Sequence, residues 1–327
     1  MKLRWRILIG AVALLVILAT AGATYILTSE PEPARIVDAG QTGERIDREG
    51  VFGNYFPATA EEPRPAILVL GGSEGGLATD VTRQAVALQA QGYNALHLAY
   101  HNAPGKSAKL KNIPVEDFTR ALDWLKRQDG VDPERIGIIG YSKGAEAALL
   151  TATRYPDIRA VVAGMPTSVF WDGMSPENFV VSNGSSSWSE NGKPVASLPY
   201  GLPGEGPGML SVFNKGLVRL DEYPDAIIPV EEYKGDLLLI CGEADTLWPS
   251  CPMSEQIVSR AQSQGAPAVR LLRYADAGHG VMGIAAGEND KSIRMFAQLG
   301  GTAKSNNDAR RDSWREILAF FDEKLMR

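Results

Sequence analysis

Two pentapeptides, GGSEG at 71–75 and GYSKG at 140–144, match Gly-x-Ser-x-Gly, the pattern of a strained turn that lifts a serine hydroxyl clear of the backbone. A serine hydroxyl attacks a carbonyl only when a base takes its proton and a carboxylate orients that base. The chain has just three histidines, His97, His101 and His279. His279 lies in ADAGHG after the apolar run AVRLLRY, and Asp245 lies in GEADTLWP after DLLLIC. Both stand where a strand gives way to a loop, and they come after the serines in the order acid, then base. Glu243 and Asp276 are alternative acids in the same loops, otherwise read as solvated. His97 falls inside an apolar run and reads as a packing residue. His101 comes just after that run and reads as a surface residue, its alternative being a place near the site.

The surroundings separate the two serines. RIGIIG runs straight into Ser142, and KGAEAALLTATRY leaves it as a stretch rich in helix formers, which is the strand–turn–helix context a nucleophile needs. The helix N-terminus behind Ser142 also favours developing negative charge. Ser73 lacks this context, because helical pattern resumes only near Thr79. Its loop fits a different part: an oxyanion hole takes one backbone N–H from the residue after the nucleophile, here Lys143, and another from a loop after an earlier strand. Ser73 and Glu74 in GGSEGG are the candidate donors there. A phosphate cradle is not indicated at this loop, since no Gly-Lys-Ser/Thr follows GGSEGG.

The elements that must position these residues alternate along the chain. Strands are expected over 51–56, 66–70, 93–99, 136–139, 158–163, 236–241 and 268–274. Helices are expected over 79–91, from Pro114 onward with Val115, Phe118, Leu122 and Leu125 inward, over 143–154, 253–264 and 311–325. Such alternation implies an α/β protein with a mainly parallel sheet flanked by helices, whose strand-end loops converge on one edge. An irregular insertion, 164–234, interrupts it between the strands expected at 158–163 and 236–241. Its Trp171, Phe179, Trp188 and Phe213 argue that part of it packs, and it is expected to line a substrate pocket.

The N-terminus is different in kind. Lys2, Arg4 and Arg6 precede an uncharged stretch from Ile7 to Leu27, long enough to span a bilayer as a helix, with the positive end in the cytoplasm. Residues 1–28 therefore read as a signal-anchor, 29–35 (SEPEPAR) as a linker and 36–327 as one exported domain, periplasmic or extracellular. A cleaved signal peptide ending near Ala21-Gly22-Ala23 is the alternative. Net charge is −6, and an acidic body does not suit nucleic acid. The two cysteines, Cys241 and Cys251, either pair in an exported protein or stand as separate thiols. No metal signature is present, and no cofactor is expected.

The stretches GGSEGGL, LAYHN, IIGYSKGAEAAL, SSSWSENGKP, IPVEEY, GEADTLWPS, AGHG and SWREILAFFDEKL together resemble the catalytic domain shared by acyl-CoA thioesterases and bile acid-CoA:amino acid N-acyltransferases. The resemblance implies an α/β-hydrolase fold and acyl transfer from a thioester to water or an amine. Carried over by motif, Ser142 is the nucleophile, Asp245 the orienting acid and His279 the base. The mammalian members carry a β-sandwich ahead of this domain, whereas here a short segment precedes the first core strands. The amino acid-conjugating members carry cysteine at the elbow where this chain has serine, which favours hydrolysis. The expectation is a serine hydrolase acting on a small-molecule acyl thioester or ester. A peptidase with the same triad, an acyltransferase to an amine and a catalytically inactive tethered binding protein are the rival readings.

Overall fold

The structure is a computed structural model describing residues 33–175, 178, 182, 184–201, 208–265, 268–287 and 290–327. The apolar stretch 7–27 and Phe179 lie outside the described residues. No helix among the described residues is long and apolar enough to cross a membrane.

Eight strands form the central sheet: β1 (Glu44–Arg48), β2 (Val51–Phe56), β3 (Arg64–Leu70), β4 (Asn94–Leu98), β5 (Val131–Tyr141), β6 (Ile158–Gly164), β7 (Asp236–Gly242) and β8 (Ala268–Tyr274). Their spatial order is β1-β2-β4-β3-β5-β6-β7-β8. Pairings are antiparallel from β1 through β4 and parallel from β4 onward. Strands buried on both faces read as continuous apolar runs, and AILVL in β3 shows why. Ala66, Leu68 and Leu70 face one core while Ile67 and Val69 face the other.

On one face lie α2 (Val115–Lys126), α3 (Lys143–Arg154) and α5 (Ser250–Gln264), burying Phe118, Leu122, Trp124, Leu149 and Ile257. On the other lie α1 (Thr79–Ala90) and α7 (Ala303–Phe321), burying Val81, Leu88, Ile317 and Phe321. The closing helix starts earlier than expected, because Thr302 accepts from the Ser305 N–H and Ser305 returns a bond to Thr302, a reciprocal cap. Strand β5 also begins earlier, with a register shift on β3 between Arg64 and Ala66.

The insertion between β6 and β7 holds α4 (Gly208–Leu217) and packs Val169, Trp171, Leu198, Tyr200 and Phe213 into a core that Trp248, from beyond β7, joins. Trp188–Glu190 pairs in parallel with Ile113–Pro114 and antiparallel with Lys193–Pro194, fastening the insertion beside α2.

Candidate active site

Four strand ends deliver the expected residues to one edge of the sheet: β3 leads to Gly71–Glu74, β5 to Ser142, β7 to Asp245 and β8 to His279. Ser142 has φ 55° and ψ −124°, a conformation that costs a side-chain-bearing residue about 1–3 kcal/mol. The turn tolerates it because its glycines let the backbones touch. A Cβ on Gly140 would stand 2.1 Å from the Gly144 carbonyl oxygen, and one on Gly144 would stand 2.2 Å from that of Gly71. The Ser142 N–H donates to Gly164 O at 2.8 Å, tying the elbow to the end of β6.

His279 Nε2 lies 3.0 Å from Ser142 Oγ and His279 Nδ1 lies 2.8 Å from Asp245 Oδ2. A carboxylate only accepts, so the ring proton sits on Nδ1 and the Nε2 lone pair faces the serine hydroxyl. Asp245 is itself fixed. Its Oδ1 accepts from the N–H groups of Leu247 and Trp248, and its Oδ2 accepts from Ser250 Oγ at 2.8 Å. All three side chains are buried, and Trp248 packs edge-on against the His279 ring, 5.6 Å between centroids. Cys241, the penultimate residue of β7, and Cys251, at the start of α5, are joined by a disulfide with Cα atoms 5.1 Å apart, closing the loop that carries Asp245. The alternative acids point elsewhere: Glu243 is exposed and pairs with Arg273, and Asp276 is exposed.

Ser73 is exposed, in a loop pressed against the elbow. A Cβ on Gly72 would lie 3.3 Å from Ser142 Cβ. The Glu74 carboxylate accepts from the Gly72 N–H at 3.0 Å and from the Tyr141 hydroxyl. Glu74 as a residue is exposed, yet its carboxylate sits among these protein groups, and the loss of water raises its pKa. Its own backbone N–H also serves that carboxylate, which leaves Ser73 as the less committed donor of the loop. Lys143 opens α3, so its N–H has no acceptor within the helix. Its ammonium group is buried and paired with Glu146 at 2.5 Å. Glu146 Oε1 in turn accepts from the Trp171 N–H and from Trp188 Nε1 at 2.8 Å, pinning the insertion to the helix behind the serine. Lys143 and Glu146 lie one helical turn apart, but nothing in the sequence signals their burial, because Trp171 and Trp188 reach Glu146 only in the folded chain.

A cavity of about 450 Å³ opens on Ser142 and His279. Leu247, Met295, Phe296 and Leu299 give it an apolar wall, while Glu74, Asp80 and Arg35 lie at its polar side. None of its described lining residues comes from 164–234. The insertion's aromatic groups instead fill one another: Trp171 stacks on Tyr200 at 5.7 Å and meets Phe213 at 4.9 Å. A larger cavity of about 620 Å³, beside the insertion, contains none of the three residues of the relay. Its Arg154 and Arg260 already pair with Glu190 and Glu231.

His97 is buried as expected, its Nδ1 3.1 Å from Thr82 Oγ1, and burial pulls its pKa down to about 3. His101 departs from expectation. It is 2% exposed rather than on the surface, and it lies under the Ser73 loop. No cluster of His, Cys, Asp and Glu suited to a metal ion occurs among the described residues.

A mainly parallel sheet in this strand order, covered on both faces, with a serine elbow after the fifth strand and acid and histidine after the seventh and eighth, defines an α/β-hydrolase fold. The chain overlays an α/β hydrolase enzyme from a Medee basin deep-sea metagenome library with a TM-score of 0.55 at 18% identity, covering 89% of this chain and 100% of the other. More narrowly, the chain belongs to the family described as BAAT / Acyl-CoA thioester hydrolase C terminal, whose model matches residues 113–327. It is 26% identical over 283 residues to the mitochondrial acyl-coenzyme A thioesterase 2 of Mus musculus, a match covering 85% of this chain and 59% of that protein. It is 28% identical over 301 residues to acyl-coenzyme A amino acid N-acyltransferase 1 of Mus musculus, covering 89% and 67%.

Proposed function

We propose that this chain is a serine hydrolase that cleaves acyl thioesters or carboxylic esters through an acyl-enzyme on Ser142. One observation carries the reading: the unbroken Asp245–His279–Ser142 relay, at 2.8 and 3.0 Å, opens on a cavity with an apolar wall. Ser142 Oγ attacks the acyl carbonyl carbon while its proton passes to His279 Nε2, and Asp245 steadies the imidazolium. The carbonyl oxygen takes the negative charge and faces the N–H groups of Lys143 and of the Ser73–Glu74 loop. Collapse breaks the bond to the leaving thiolate or alkoxide, which takes the proton from His279. A water molecule then gives its proton to His279, attacks the acyl-enzyme carbonyl and releases the acid, and Ser142 regains its proton.

The sequence relatives include both thioesterases and N-acyltransferases, so the acceptor is the finer question. Serine at the elbow favours water over an amine. We further propose that residues 1–28 anchor the domain outside the cytoplasm. Protease added to spheroplasts before and after lysis tests this: digestion of the domain before lysis is expected, and digestion only after lysis would contradict it. The activity is tested by giving the purified domain acyl-CoA, p-nitrophenyl ester and peptide substrates in parallel, with Ser142→Ala beside it. The expected result is thioester or ester turnover that Ser142→Ala abolishes. Turnover of peptides alone, or no turnover of any of the three, overturns it.

A further inference from the structure

The loop facing Ser142 is held from behind by two consecutive residues, Tyr100 and His101, just past the end of β4. The Tyr100 hydroxyl lies 2.7 Å from Gly71 O and 3.1 Å from Gly72 O. His101 Nε2 lies 3.4 Å from Ser73 O. Three successive carbonyls of the loop thus turn toward one pair of side chains. In a trans peptide the carbonyl and the N–H of the same plane point in opposite directions. Holding Gly72 O therefore aims the Ser73 N–H away from Tyr100. Holding Ser73 O fixes the next peptide plane, so Ser73 is set from both sides.

The two residues are built for this task. Tyr100 is buried among Phe118, Trp188 and His101, and burial beside Glu74 and Glu146 keeps its hydroxyl protonated. His101 also accepts from the Gly76 N–H through its own carbonyl at 3.0 Å, so it spans the loop. Its ring must carry the proton on Nε2 to donate to a carbonyl, and its buried Nδ1 then has no hydrogen-bond partner among the described residues. Burial holds its pKa at about 4, which keeps the ring neutral. Gly75, at φ +64°, is what admits the ring: a Cβ there would stand 2.8 Å from His101 Nε2.

We propose that Tyr100 and His101 are positioning residues that orient the Ser73 N–H toward the oxyanion formed on Ser142. The proposal rests on Ser142 being the nucleophile, and the two can fail separately. The test measures kcat and KM for p-nitrophenyl acetate, scaled to active sites counted with a fluorophosphonate, in Tyr100→Phe, His101→Leu and His101→Gln. It also measures inhibition by a trifluoromethyl ketone, whose adduct with Ser142 carries an oxyanion. Deleting an oxyanion donor outright costs on the order of 10²–10³ in kcat. Misaiming one is expected to lower kcat roughly 10- to 100-fold with KM little changed and to weaken the ketone by a similar factor. His101→Gln, which keeps a donor, is expected to recover most of the loss. Gly75→Ala displaces the same contact without altering either side chain and is expected to reproduce it, which covers the case of a variant that fails to fold. Ketone affinity unchanged in Tyr100→Phe and His101→Leu overturns the proposal, whatever happens to thermal stability. Turnover persisting in Ser142→Ala overturns the functional reading instead.

Discussion

The two Gly-x-Ser-x-Gly loops share a pattern and use it in opposite ways. At 140–144 the serine itself takes the positive φ, 55°, and the glycines on either side let α3 and the end of β3 close on it. At 71–75 the positive φ falls on Gly75, the serine side chain is left in solvent, and the backbone is what the protein holds. In the proposed mechanism one loop presents a hydroxyl and the other a peptide N–H. The residues downstream of each serine make the difference. A helix starts at Lys143, immediately after one serine, whereas the other is succeeded by a glycine pair and reaches its helix only at Thr79.

Replacing each serine by alanine puts this contrast under the greatest load. Ser142→Ala is expected to lower kcat by roughly 10⁴–10⁶, while Ser73→Ala, which keeps the backbone donor, is expected to stay within about threefold of wild type. Steady-state kinetics on one ester substrate measures both, and comparable losses would abolish the distinction. Asp245→Asn comes next. It is expected to cost on the order of 10³–10⁴ in kcat by stabilising the wrong histidine tautomer, read in the same assay.

Stability separates the two loops as well. Gly144→Ala drives a methyl group into the backbone of Gly71 and is expected to cost about 3 kcal/mol or more, measured by denaturant unfolding. Under the donor loop the lever is pH. The folded pKa of His101 is about 4 against 6.5 for the free side chain, so below pH 6.5 the unfolded chain binds a proton that the folded chain refuses. Stability is fully present above that pH and is lost as pH falls toward 4, by about 2 kcal/mol at pH 5 for this group. His101→Gln is expected to flatten the dependence by that amount between pH 7 and pH 5. Under the acid loop the lever is redox: Cys251→Ser opens a loop of sequence separation 10 and is expected to cost about 2–3 kcal/mol, measured as a lowered Tm.

Much of the site was legible because strand, turn and helix are local patterns. RIGIIG-Y-S-K places Ser142 without any knowledge of tertiary contacts, and acid and histidine in loops after two later strands obey the same rule. What escaped was decided by folding over. His101 reads as surface in sequence because only the arrival of the GGSEGG loop buries it. Ser250 as a third support of Asp245, and Glu146 as the anchor of Trp171 and Trp188, involve partners that the pattern cannot pair. Strand β1, ERIDR, is a polar edge strand with only Ile46 fully buried, so it carries no apolar run to announce it. Of the insertion's aromatic residues, Trp171 and Phe213 pack on each other while Trp188 packs on Tyr100 and Phe118, and the described apolar wall of the cavity comes from Leu247 and the short helix α6 (Lys291–Phe296) with Leu299.

Whether Ser142 or Ser73 is the nucleophile is decided by peptide mapping with mass spectrometry after reaction with a fluorophosphonate. A single phosphonyl adduct on Ser142, absent when His279 is replaced by alanine, is the predicted result. An adduct on Ser73, or none on either serine, would contradict it.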